Sequence, residues 1–224
     1  MKQSDILYED NHLIVVYKKS GELVQVDEDC NESLEISIKQ FIKERDKKSG
    51  NVFLGVAHRL DRPVSGIVVF AKTSKALTRL NEMFKRGDVH KTYWAIVKNY
   101  PPKEDNLLTH YLVRNQKQNK SYAHDKAVSN SKESRLKYKL IGSSNSYFLL
   151  EIEPLTGRHH QIRSQLSKIG CPIKGDLKYG FPRSNPNGGI SLHSYSVRFI
   201  HPVTKEEIFV TAPPPKDDLF DKME

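Results

Sequence analysis

Cysteine is scarce. The 224 residues contain two, Cys30 and Cys171, far apart and outside any Cys-x-x-Cys spacing. That points to a reducing compartment rather than a disulfide framework, so a cytoplasmic protein is expected. No apolar run approaches the roughly 18 residues that a membrane-spanning helix needs. The N-terminal segment carries acids and lacks the apolar core of a secretory signal. Internal repeats and low-complexity linkers are absent. So are the Gly-rich phosphate loop ending in Lys-Ser/Thr, H-E-x-x-H and G-x-S-x-G, which leaves nucleotide-driven chemistry and the common hydrolase designs without support. Acidic residues are in deficit, 27 against 36 Lys and Arg, for a net charge of +9. This excess suits a polyanionic partner without requiring one.

What is present suits one soluble domain. Hydrophobic residues make up 37% of the chain and charged residues 28%, and the length suffices to bury a core without cross-links. Strand-like and helix-like segments alternate from residue 6 to residue 211, which predicts a single α+β domain over 1–224. Ile6 to Tyr8 and Leu13 to Tyr17 read as strands. Leu34, Ile38, Phe41 and Ile42 share a helical face behind Ser33 as N-cap. Ile67 to Phe70 reads as a buried strand. An amphipathic helix is expected at 74–86, capped by Thr73 or Ser74 and ended by Gly87. Strands follow at 93–97, at 136–140 and 147–152 as a hairpin, and at 190–199 and 208–211. A helix is expected at 158–169, and the tail at 213–224 is expected to be loose.

Charge is concentrated in one stretch. Residues 114–139 hold Arg114, Lys117, Lys120, Lys126, Lys132, Arg135, Lys137 and Lys139 against Asp125 and Glu133, so +6 of the net charge lies in 26 residues. It is either a solvated hairpin or a loop that grips phosphates.

Three polar clusters interrupt apolar surroundings. In His58-Arg59-Leu60-Asp61-Arg62-Pro63 an acid is flanked by arginines at the entrance to the buried strand. This fits a turn-fixing salt bridge, or an ionised carboxylate that serves as nucleophile or base. In Thr156-Gly157-Arg158-His159-His160-Gln161-Ile162-Arg163 a helix would place Arg158 in its first turn. The helix dipole disfavours a cation there, so Arg158 hints at an anion, though a strand-end salt bridge serves equally. The third cluster is His193 with His201-Pro202. The histidines together raise the question of a metal, but their spacing matches no zinc pattern.

His58-Arg59-Leu60-Asp61 followed by Ser65-Gly66 resembles the H-R-L-D-x-x-T-S-G signature of the RluA-type pseudouridine synthases. Gly157-Arg158-x-His160-Gln161-Ile162-Arg163 resembles their G-R-x-H-Q-I-R motif. Ile6 to Asp10, Lys91-x-Tyr93-x-Ala95, Gly175-Asp176 with Tyr179-Gly180, and Leu192-His193 with His201-Pro202 fall in the same order. Val64 stands where a Thr is usual, Lys19 where the N-terminal region usually has Lys-Pro, and His159 where Thr is common.

The resemblance implies an RNA pseudouridine synthase. Such an enzyme breaks the bond from ribose to uracil N1, turns the ring and rejoins it through C5, with no cofactor and no metal. It implies a mainly antiparallel central sheet, flanking helices and a central cleft, without an S4-like module. Asp61 takes the catalytic carboxylate position, Arg163 that of its cationic partner, and Tyr93 that of the active-site tyrosine. Ile162 would wall the uracil pocket and Arg59 would fill the gap left by a flipped base. His58, Arg62, Arg158 and His160 are expected to face substrate, and Lys117, Lys120 and Lys126 to grip the backbone of structured rRNA or tRNA. A monomer needing no protein partner is expected.

Overall fold

The computed structural model describes residues 2–26, 31–216 and 219–223. Cys30 lies outside them. In chain order the strands and α-helices are β1 (Ile6–Glu9), β2 (Leu13–Lys18), α1 (Leu34–Arg45), β3 (Gly55–Val56), β4 (Ser65–Ala71), α2 (Ser74–Arg86), β5 (His90–Val97), β6 (Asp105–Asn115), β7 (Lys120–His124), β8 (Lys132–Ser143), β9 (Phe148–Pro154), α3 (Gln161–Lys168), β10 (Leu192–Ile200) and β11 (Glu207–Thr211). The α+β class with a mainly antiparallel sheet agrees with the sequence. No helix among the described residues is long and apolar enough to cross a membrane. The chain divides into two compact units, Met1–His90 with Ser194–Pro213 and Lys91–His193 with Pro214–Glu224.

In the first unit β1, β2, β4 and β10 lie side by side, with β3 added to β4 and β11 to β10. Every residue of β4 is buried, which explains its unbroken apolar sequence. One layer of its side chains, Ile67, Val69 and Ala71, packs in a core with Ala76, Leu80 and Met83 of α2 and with Val197, Phe199, Ile208 and Val210. Each fully buried aliphatic side chain of this kind contributes about 1.5–3 kcal/mol. The helix boundaries follow local chemistry. Ser33 Oγ accepts from the amide of Ile36, and Thr73 Oγ1 from that of Ala76. Gly87 ends α2 in the left-handed region. Gly66 has φ +115°, and a Cβ there would lie 2.3 Å from the carbonyl oxygen of Ser194. Only glycine lets β4 approach that backbone.

The second unit orders its strands β5, β9, β8, β6, β7, all paired antiparallel. Leu108, Leu136, Tyr138, Leu150 and Ile152 face inward and are buried. α3 packs on that inner side, where Gln165 Nε2 lies 3.1 Å from His110 Nδ1 and donates to the carbonyl of Ser134.

Two expectations change. The helix expected at 158–169 begins at Gln161, because His160 takes a left-handed conformation (φ 50°) that no preceding helical turn can share. Arg158 is therefore outside the helix, and the dipole reading of it fails. The tail expected to be loose is not wholly so: Leu219–Lys222 form a 3-10 turn, and Phe220 is buried against Ile96 and Leu149.

Candidate active site

The signature turn in the first unit is held by backbone carbonyls that need donors. Asp61 to Val64 form a turn closed by the Val64 amide on the Asp61 carbonyl, 3.0 Å. Beneath it lies Lys18, fully buried at the end of β2. Its ammonium donates to the carbonyls of Val64 (2.6 Å), Arg62 (3.1 Å) and Lys19 (3.1 Å). Burial pushes its pKa down to about 8, while the charges of Glu22 and Asp61 pull the other way. The neighbouring loop adds more: the Gly21 amide donates to the Arg62 carbonyl, Arg62 Nε to the Gly21 carbonyl and Ser20 Oγ to the Pro63 carbonyl. Sequence reasoning missed Lys18. The available signal was a lysine closing an otherwise apolar strand, where an ammonium must find oxygen partners or stay out of the core.

His58 and Arg62 therefore have scaffold contacts that their expected substrate-facing roles did not include. His58 Nε2 accepts from the Val69 amide (2.9 Å), and its ring leans on Phe84. That hydrogen bond makes Nε2 the unprotonated nitrogen of a neutral ring. Arg59 is exposed, Leu60 is buried and Asp61 is half-buried.

In the second unit Arg163 is 5% exposed and gripped by Asp176, with Nε 2.7 Å from Oδ2 and Nη2 2.9 Å from Oδ1. Such a two-point clamp fixes the guanidinium plane. The guanidinium carbon also lies 5.0 Å from the centre of the Tyr179 ring. Asp176 belongs to the Gly-Asp motif read from the sequence, but its partnership with Arg163 was not foreseen. Ile162, beside it, is buried, and Tyr93 is buried on β5 opposite Ile152.

Tyr179 ties these residues to the basic hairpin. Its hydroxyl accepts from the Ser121 amide (2.8 Å) and lies 3.0 Å from His160 Nδ1. Burial first, and then the charge of Arg163, press the His160 pKa down to about 2. The ring is therefore neutral and shares one hydrogen bond with the Tyr179 hydroxyl. His159 stacks on His160 with ring centres 3.8 Å apart. It also reaches Ser121 Oγ (2.9 Å) and Asn119 Oδ1 (3.0 Å). Gln161 pins the preceding turn, accepting from the Arg158 amide and Thr156 Oγ1 and donating to the Arg135 carbonyl. Arg158 itself is exposed.

The basic stretch is not one patch. Arg135, Lys137 and Lys139 alternate outward along β8. Lys139 stands between Asp105 on β6 and Glu151 on β9, and Lys137 opposite Glu153. Lys117 and Lys126 are exposed near the β6–β7 hairpin, and Lys120 is half-buried with its ammonium 5.1 Å from the Tyr179 ring centre.

The histidines do not gather around a metal. Among the described residues no group of three or more His, Cys, Asp or Glu side chains could hold one. His201 is buried, with Nδ1 accepting from the Thr204 amide and Nε2 2.9 Å from Asp10 Oδ2. The first contact closes the turn between β10 and β11, and the second ties it to the β1–β2 turn.

The sequence profile of the RNA pseudouridylate synthase family matches residues 12–168. The chain belongs to that family. A tRNA pseudouridine synthase C of Vibrio vulnificus is 31% identical over 98% of this chain and 95% of its own length. A ribosomal large subunit pseudouridine synthase C of Buchnera aphidicola is 33% identical over 93% of this chain but 66% of its own length. The structure of human RNA pseudouridylate synthase domain containing 4 superposes with a TM-score of 0.81 at 23% identity, covering 99% of this chain and 94% of that one, which shows the fold. As a pseudouridine synthase, the chain is an isomerase that acts on RNA.

Proposed function

We propose that the chain isomerises uridines in a structured cellular RNA, with Asp61 as the catalytic carboxylate. The observation that carries this reading is the signature turn, in which a buried lysine and the 18–21 loop hold the residues around Asp61 from below. In the proposed reaction the C1′–N1 bond breaks, the uracil turns, a bond forms from C1′ to C5, the C5 proton leaves to solvent and N1 takes up a proton in its place. Asp61 attacks the sugar, attacks the ring, or stabilises the positive charge that develops on the sugar. By the family resemblance, Arg163 is the cationic partner assigned to keep that carboxylate ionised. Tyr93 lies against the uracil and assists proton transfer. Ile162 walls the pocket, Arg59 fills the stack after base flipping, and Arg62, Arg158 and His160 line the approach. Asp61, Tyr93 and Arg163 are the residues to which this reading assigns the chemistry.

The end-to-end match to a tRNA pseudouridine synthase C favours a tRNA substrate. Large-subunit rRNA is the second reading, carried by relatives that this chain matches over 66% of their length. The enzyme acts in the cytoplasm as a monomer. Tritium release from C5-labelled RNA, followed by mapping of pseudouridine in cells with and without the gene, tests the activity and identifies the site. Activity is expected to survive EDTA, on an RNA that folds without magnesium. Loss on chelation with recovery on zinc would revive a metal-dependent reading of the histidines.

The basic hairpin is proposed to bind phosphates. Each neutralised phosphate releases counterions, so log affinity should fall with log salt by about 0.7 per contact on single-stranded RNA. Replacing Lys117, Lys120 and Lys126 together with Gln should flatten that slope by about 2 units. Lys137→Gln with Lys139→Gln should leave it nearly unchanged, because acids already face those side chains across the strands. Parallel salt lines for the triple variant and wild type would sink the grip.

A further inference from the structure

We propose that Tyr122 is a stacking platform for an unpaired nucleobase, a subsite of the RNA surface assigned to the hairpin under the proposed function. The proposal rests on that assignment and deepens it. The alternation of β7 turns Ser121 inward, where it is buried, and Tyr122 outward, where it is 40% exposed. The outward ring is held rather than free to rotate. Its hydroxyl donates to Gln118 Oε1, 2.5 Å away in the preceding turn. The ammonium of Lys120, two residues away on the same strand face, lies 5.3 Å from its ring centre. Val113 on β6 is its cross-strand partner.

Of the other cations near in sequence, Lys117 is exposed in the β6–β7 turn and Lys126 just beyond β7. The acid in the same loop, Asp125, is bound by Lys168 at 2.9 Å. A lone exposed tyrosine is ordinary on a protein surface. A tyrosine immobilised by a side-chain hydrogen bond and beside a cation, on a hairpin that carries more of them, has the composition that single-stranded nucleic acid requires: a π face for a base and positive charge for the adjoining phosphates. Because every base has a π face, the subsite is tolerant of sequence. It would favour RNA whose bases near the target are splayed out of a helix over RNA that is fully paired.

The test is binding of fluorescein-labelled RNA at four or five salt concentrations. Two probes are used, a hairpin with a uridine loop and a fully paired duplex, and the proteins are wild type, Tyr122→Phe and Tyr122→Thr. Threonine keeps the strand preference of this exposed position. Tyr122→Thr is expected to weaken hairpin binding about tenfold, within the range for losing one base–aromatic stack, and to leave duplex binding within twofold. Its salt line should be displaced but parallel to that of wild type, since no cation is lost. Tyr122→Phe, which keeps the π face and gives up only the hydrogen bond to Gln118, should lose clearly less than Tyr122→Thr, about threefold at most. Unchanged hairpin binding by the Thr variant overturns the proposal, as does equal loss in the Phe variant, which would place the effect in the hydroxyl. A shallower slope in the Thr variant also overturns it, because Tyr122 would then act only by placing Lys120. Wild-type protein that shows no salt-dependent binding to either RNA removes the hairpin's RNA role as well, an outcome distinct from all of these.

Discussion

Asp61→Asn should lower single-turnover pseudouridine formation by about four orders of magnitude or more, the scale that accompanies loss of an essential catalytic group. Asparagine is nearly the same size as aspartate but carries no charge, attacks nothing and stabilises no neighbouring cation. The turn should survive the change. Its closing hydrogen bond uses the Asp61 backbone carbonyl, and the Lys18 ammonium beneath it is held by carbonyls that the substitution leaves in place. Melting temperature within about 2 °C of wild type and RNA affinity within threefold are therefore expected alongside the loss of chemistry. The measurement is tritium release at saturating RNA. Turnover within tenfold of wild type would remove Asp61 from the catalytic role, whatever happened to binding.

Lys18→Met should produce the second large effect, and a pH-dependent one. Methionine fills much of the lysine volume but offers nothing to the carbonyls of Val64, Arg62 and Lys19, and a buried acceptor left without its donor costs about 1–3 kcal/mol. The signature turn should loosen, with a drop in both stability and turnover. Lys18 has a pKa near 8 when folded, against an ordinary value of 10.5. Below pH 8 both folded and unfolded chains carry the proton. Between about 8 and 10.5 the unfolded chain binds a proton that the folded chain has released, so this group makes stability rise with pH across that window. At full extent the gain is about 3 kcal/mol. The stability deficit of Lys18→Met relative to wild type should therefore widen from pH 7.5 to pH 10. Urea unfolding of both proteins at the two pH values reads the difference directly, and groups common to both, such as Tyr8, cancel. A deficit that stays flat would mean that Lys18 is not titrating in the core.

Features set by adjacent residues were legible in the sequence. Ser33, Thr73 and Gly87 cap their helices as read, because capping is chemistry within three or four residues. The apolar run at 67–70 declared a buried strand. Motifs spread over most of the chain pointed to the family. Features set by distant partners were not legible. The start of α3 depends on a left-handed His160 whose ring meets the Tyr179 hydroxyl, a partner 19 residues away. The +6 of residues 114–139 looked like a single grip, but strand register places Asp105, Glu151 and Glu153 beside its β8 lysines. Counting charge along the chain cannot see neighbours across a sheet. The clamp of Asp176 on Arg163 joins two motifs that were each recognised, and their pairing awaited the fold.

The hydroxyl of Tyr179 has a further consequence for how the hairpin can be approached. β7 ends its strand order, so its outward amides would ordinarily invite another chain to add a strand. At Ser121 that invitation is withdrawn, since the amide is already spent on Tyr179. A peptide extending the sheet here would have to break that bond. Backbone-to-backbone recognition and edge-to-edge aggregation are thus disfavoured on this margin. What the margin still offers a visitor is its side chains, and in Lys117, Lys120 and Tyr122 those are a charge, a second charge and a ring.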